Sequence, residues 1–218
     1  LSTNRYRLLR KVEGREEAEE ISRRLEQVGV DHVELAEADV DALPVRPIQW
    51  LRFRSDHMEM QLADEGAVAM SFSDALLLVR GEITRARHSE RRMATPRGAS
   101  QPLTPGLRVV LFEKSSKFAA ELDAEQFDWG ALEDQQSSST PMNFKRLIDE
   151  ILQRSTGARL DRGFDLEPVV LSRSGLDSSV DALLDSSKTR EGVVYDNGAQ
   201  FRFYARWRYL VARRRVVT

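Results

Sequence analysis

The chain has 218 residues, 33 Lys and Arg against 35 Asp and Glu for a formal charge of −2, 41% hydrophobic residues and no cysteine. That apolar content can offset backbone entropy in one or two packed domains, which sets disorder aside, and the near-neutral charge excludes a globally basic nucleic-acid binder. Without cysteine there are no disulfides, thiolate zinc sites, iron–sulfur ligands or cysteine nucleophile, and a reducing cytoplasm is the simplest compartment.

Leu1 to Arg10 is polar and basic and lacks the apolar stretch of an export signal. Tyr6, Leu8 and Leu9 read as a strand; Ala18, Ile21, Leu25 and Val28 then recur on one helical face, and Gly29 stops the helix. Val30, Val33 and Leu35 form a β-compatible run, so Tyr6 to Leu35 is predicted as strand, helix, strand. Charge is segregated here: Glu13 to Asp41 holds eleven acids against three Arg.

Pro44 and Pro47 mark Leu43 to Pro47 as a linker. Beyond it the period becomes two, through Ile48 and Trp50 to Phe53, then Met58, Met60 and Leu62, then Val68 and Met70, then Ala75 to Ile83. Turns at Ser55-Asp56, Asp64-Glu65-Gly66 and Ser73-Asp74 separate four strands of an antiparallel meander. The longest apolar run, Ala75 to Val79, is strand-sized and far short of a membrane span. Arg85 to Gly106 carries three Pro and two Gly and reads as a loop. Strands resume at Leu107 to Phe112 and Phe118 to Leu122. Thr140-Pro141 opens a helix whose stripe is Phe144, Leu147, Ile148, Ile151 and Leu152, ended by Gly157. A short helix is expected at Ser178 to Ser187. Phe201 to Arg215 fits strand or helix, and its length favours helix.

Two stretches resemble known families. Tyr6 to Leu43, with Glu17-Ala18-Glu19 on the helix and Leu25 followed after three residues by Gly29-Val30, is similar to the small βαβ units of prokaryotic signal-transducing proteins, half of a ferredoxin-like fold. Pro47 to Ser155, with consecutive strands, the step Met70-Ser71-Phe72-Ser73-Asp74 and a closing amphipathic helix, resembles a bacterial pleckstrin-homology-like or GRAM-like domain. That resemblance implies a β-barrel or sandwich closed by the Phe144 to Leu152 helix. The turn Ser55-Asp56-His57 lacks the basic cluster of lipid-binding members, and the helix carries no Trp, so only the fold is implied.

No G-x-S-x-G elbow, H-E-x-x-H pair or phosphate-binding loop occurs, and the histidines are His32, His57 and His88. Neighbours in a strand face opposite ways, so His57 and Asp56 are expected to serve a surface turn rather than to form a base and its orienter. Two acidic groups, Asp123, Glu125, Asp128 and Glu34, Glu37, Asp39, Asp41, lack calcium-loop spacing and are expected to be solvated. The informative segments are basic. Arg85, Arg87, Arg91 and Arg92 sit together near His88, and Phe201 to Arg215 places six Arg, with no acid, among Phe201, Tyr204, Trp207 and Tyr209. Arg beside aromatics suits phosphate contact and base stacking, and equally a docked helix whose Arg stems lie along the surface.

The sequence thus points to an α+β protein: a βαβ unit over 1–45, a pleckstrin-homology-like antiparallel domain with its closing helix over 46–157, and a partly helical extension over 158–218. The expected function is a non-catalytic binding or regulatory module of bacterial type, without cofactor or metal, acting on another protein or on itself. Its candidate anion or partner contacts are Arg85, Arg87, Arg91, Arg92, Arg202, Arg206, Arg208 and Trp207. The alternatives are a metal-dependent hydrolase using an acidic cluster and a weak nucleic-acid binder using the Arg segments.

Overall fold

A computed structural model describes residues 12, 14–63, 66–88, 100–102, 105–115, 119–166, 185–189 and 192–216. The fold is α+β, built on an open, mixed sheet of seven strands with helices on both faces.

Helix α1 (Arg15–Gln27) forms where the apolar spacing places it, and Gly29 terminates it at φ 71°. Val30, Val33 and Leu35 are a correction: among the described residues they join no sheet, and an extended segment without a ladder partner stays coil. Tyr6 to Leu9 lies outside the described residues. After α2 (Glu37–Ala42), Leu43 is buried, and the expected linker gives way at once to β1 (Val45–Phe53).

β1 is the hinge of the sheet. Its first residues, Val45 to Pro47, pair in parallel with β8 (Ala119–Asp123), so Pro47 sits near the strand start, where proline is tolerated. A bulge between Ile48 and Trp50 then re-aims the strand toward β2 (His57–Leu62), which pairs antiparallel with β3 (Ala67–Ser71). The turns at Ser55-Asp56 and Ser73-Asp74 fall as expected.

The meander ends there. β4 (Ala75–Ile83) leaves β3 and pairs with β7 (Gly106–Glu113) and, in parallel, with β9 (Arg159–Asp161), giving the order β3-β2-β1-β8-β7-β4-β9. The reason lies in its composition. Ala75, Leu76, Leu77, Leu78 and Val79 are all buried, and a strand apolar on both faces belongs where both are covered.

Alternation along these strands builds two cores. Leu78, Val109, Leu111, Ala120 and Leu122 meet Phe144, Leu147, Ile148 and Ile151 of α3 (Thr140–Arg154), behind the 3₁₀ helix Trp129–Gln135. Arg154 anchors the end of α3: its guanidinium lies 4.8 Å over the Phe53 ring and donates to the Arg54 carbonyl. Leu77, Val79, Ile83, Val110 and Phe112 face the other way, onto Phe164 of α4 (Gly163–Leu166) and Phe201, Ala205 and Tyr209 of α5 (Gly198–Val216). The C-terminal segment is therefore helix.

A second sheet of order β10-β11-β5-β6 corrects two expectations. β5 (Arg85–His88) and β6 (Ser100–Pro102) lie at the ends of the stretch read as loop, and β10 (Asp185–Thr189), paired with β11 (Gly192–Asp196), takes in the last residues of the expected Ser178 to Ser187 helix. Polar Ser and Thr fit an edge ladder as well as a helix, which is why spacing did not separate them. Ser178 to Leu184 and 89–99 lie outside the described residues. Among the described residues no helix is long and apolar enough to cross a membrane.

Gly81 measures how tightly α5 is seated. A β-carbon there would lie 2.5 Å from the Phe201 ring and 2.9 Å from that of Phe164, inside van der Waals contact. Gly81→Ala is expected to cost about 1–3 kcal/mol in urea unfolding through overpacking, and an unchanged midpoint would show that the helix does not sit at this distance.

Candidate functional site: the arginine-rich helix and the cleft beside it

α5 has a central apolar line, Phe201, Ala205 and Tyr209, each fully buried at four-residue steps. Tyr209 stacks on Phe112 with ring centroids 4.7 Å apart, and Phe164 packs edge-on against Phe201 at 5.2 Å. On either flank of this line the sheet presents an acid.

On the β8 side, Glu121 is 5% exposed and accepts from Arg202 Nε at 2.7 Å. Its other carboxylate oxygen faces Arg108 Nη1 of β7 at 3.3 Å, and Arg108 Nε donates to Asp123 at 3.1 Å. On the β9 side, Asp161 accepts from Arg208 Nε at 2.6 Å, from the Tyr204 hydroxyl at 2.9 Å and from the Gly163 amide at 2.8 Å. Glu121 and Asp161 thus flank the strands β7 and β4 on which α5 lies, and the helix is gripped from both sides.

Arg206 is held less completely. Its Nη1 stands 3.7 Å from the exposed carboxylate of Asp41 in α2, and its Nε is buried without a hydrogen-bond partner among the described residues. Burial lowers the guanidinium pKa below its ordinary value, with Asp41 opposing and Arg202 adding to the shift. Trp207 is half-buried, packed against Tyr204 at 5.7 Å with the Arg208 guanidinium 5.6 Å over its ring.

The arginines expected to meet an external anion are therefore placed as follows. Arg202, Arg206 and Arg208 turn toward acids of their own chain, as the composition of a docked helix allows. Arg85 and Arg87 lie on β5, opposite Asp196 and Val194 in the ladder with β11; Arg91 and Arg92 lie outside the described residues. The Asn197 side chain accepts from the Thr84 amide at 2.9 Å, so the start of β5 and the start of α5 are adjacent.

Asp41 belongs to an acidic group that stands out in the sequence, whereas Glu121 and Asp161 do not. Glu121 stands between Ala120 and Leu122, the one charge in the run Phe118 to Leu122, and that is its signal in the sequence. The members of the two acidic groups go to separate contacts: Asp123 pairs with Arg108, Asp128 accepts from the Gly130 amide, and Asp41 faces Arg206. Among the described residues no three His, Asp or Glu gather around a common point.

His57 and Asp56 sit at a surface turn, but their side chains meet rather than face opposite ways. Asp56 lies in the turn before β2, outside the pleat, so its carboxylate reaches the His57 ring, Nδ1 to Oδ1 at 2.7 Å. The histidine hydrogen bond lowers the Asp56 pKa, and Arg54 does the same for Glu59, whose carboxylate faces His57 Nε2 at 3.8 Å. The ring is thus bounded by two carboxylates, and the Ser55 hydroxyl donates to the Asp56 carboxylate rather than to the ring.

A shallow, open cleft of about 610 Å³ lies between α2 and α5. Leu35, Leu43, Pro44 and Leu210 form its apolar walls, and Arg213 and Arg214 stand at its margin. Both arginines are exposed, and Arg214 donates to the Glu34 carbonyl at 2.6 Å. Tyr209 contributes to the lining, and its hydroxyl is buried without a hydrogen-bond partner among the described residues. Asp39 adds one acid.

Taking Glu121 away should be costly, because Arg108 and Arg202 would lose a common counter-ion. Glu121→Ala is expected to lose about 3 kcal/mol or more in urea unfolding, and a loss under about 1 kcal/mol would place the carboxylate outside the structural core. No family model matches the chain, and no curated protein or solved structure is found to be similar to it.

Proposed function

We propose that the protein is a non-catalytic binding or regulatory module of bacterial type, and that the cleft between α2 and α5 is where it takes an acidic, apolar-anchored segment of another protein. The observation that carries this reading is the division of labour among the α5 arginines. Arg202, Arg206 and Arg208 face internal acids, while Arg213 stands exposed beside apolar walls. A concave apolar surface with a cation at its rim suits an apolar side chain followed by carboxylates, the cation steering and orienting the partner.

The same proposal treats the unit from β1 to α3 as pleckstrin-homology-like in plan. Its support is the run β1-β2-β3 of antiparallel strands and the later amphipathic helix whose Phe144, Leu147, Ile148 and Ile151 cover them. The engagement of three α5 arginines within the chain weighs against the nucleic-acid alternative, since a guanidinium already paired with a carboxylate contributes less to phosphate binding.

Arg213→Glu tests the proposal without touching the packed side of α5. A defined protein partner should co-purify with the wild-type chain from its native host and be lost with the variant, while the melting temperature stays unchanged. Repeated recovery of the bare wild-type chain, or equal retention of the partner by the variant, contradicts the cleft as the contact.

A further inference from the structure

Four strand edges bound the two sheets among the described residues: β3 and β9 on the large one, β10 and β6 on the small one. An unpaired edge presents a row of free backbone donors and acceptors, and proteins ordinarily guard it with charge, proline or brevity. Three of these edges are guarded. β9 is three residues long and carries Arg159 and Asp161; β6 is three residues long and ends in Pro102; β10 carries Asp185 and Lys188.

β3 is not. Its five residues, Ala67, Val68, Ala69, Met70 and Ser71, include no charge and no proline. Val68 and Met70 point inward to the core under α3, while Ala67 and Ala69 are exposed on the other face. We infer that β3 is a docking edge for a second copy of this chain, the two Ala67–Ser71 strands pairing antiparallel about a two-fold axis at Ala69 so that two sheets become one.

The side chains suit such a self-pairing. The axis puts Ala69 opposite its own symmetry mate, Val68 opposite Met70, and Ala67 opposite Ser71, with no like charges facing each other. The first charged row lies one strand inward, where Glu59 stands opposite Ala69 on one side and opposite Arg52 on the other. Glu59 is also bound by Arg54 at 2.7 Å, so that charge is answered inside each copy. A strand from a different protein would be selected through side-chain pockets along the edge, and the outer face here offers only Ala and Ser. The seam shares no residue with the α2–α5 cleft, so the dimer stands or falls separately from the proposed function.

Sedimentation of the full chain over a concentration series tests the inference. The wild type is expected to pass from monomer to dimer as concentration rises, and backbone amide exchange across Ala67–Ser71 is expected to slow with it. In Ala69→Lys the new ammonium lies opposite Glu59 of its own strand pair, which favours the fold, yet faces its symmetry mate across the seam. The variant should remain monomeric with a native circular dichroism spectrum, whereas Arg213→Glu should dimerise like the wild type. A wild type that is monomeric at every concentration, amide exchange that ignores concentration, or a folded Ala69→Lys that still dimerises would each overturn the pairing.

Discussion

Two carboxylates, one buried and one largely so, decide where the C-terminal helix lies. Glu121 on β8 and Asp161 on β9 stand on either side of the strands that carry α5, and each accepts a guanidinium from it. The apolar line Phe201, Ala205, Tyr209 supplies attraction to the sheet but little direction, because hydrophobic burial is insensitive to modest rotation or sliding. Paired charges are different: an uncompensated one in this layer costs several kcal/mol, so shifting the helix by one residue is penalised on both flanks at once. The position of α5 in turn sets the cleft, since Tyr209, Leu210, Arg213 and Arg214 reach it only from a helix held in this register.

The same layer explains why β4 is central. A strand apolar on both faces needs cover on both, and α3 and α5 provide it from opposite sides. Gly81 lets Phe201 and Phe164 approach the backbone of β4 where a methyl group would not fit. The bulge in β1 completes the arrangement by letting one strand pair in parallel with β8 and antiparallel with β2.

What could be read from the residues followed their periodicity. α1, α3 and the strands from β1 to β4 announce themselves through three-and-four or two-residue spacing, and so do β7 and β8. Strand order was not legible: nothing local in Ser73-Asp74 says that the next strand will cross to pair with β7, because that depends on a layer supplied by residues more than a hundred positions later. α5 was ambiguous for a related reason. A helix that half-buries Arg202 and Arg208 beside Phe201 and Tyr209 has no clean polar face, so the usual amphipathic signature is blurred by the very ion pairs that seat it. The Arg-rich composition pointed to anion binding in general; that two of the anions are Glu121 and Asp161 of the chain itself was hidden by their distance, 81 and 47 residues upstream of their partners.

A double-mutant cycle between Arg208 and Asp161, with each removed singly and together and stability read from urea unfolding, tests the grip on α5 most directly. The structure predicts a coupling of about 1–3 kcal/mol, the pair being closely approached and largely shielded from water. Additive losses, with no coupling beyond a few tenths of a kcal/mol, would mean that apolar contact alone seats the helix and that the carboxylates do not fix its place.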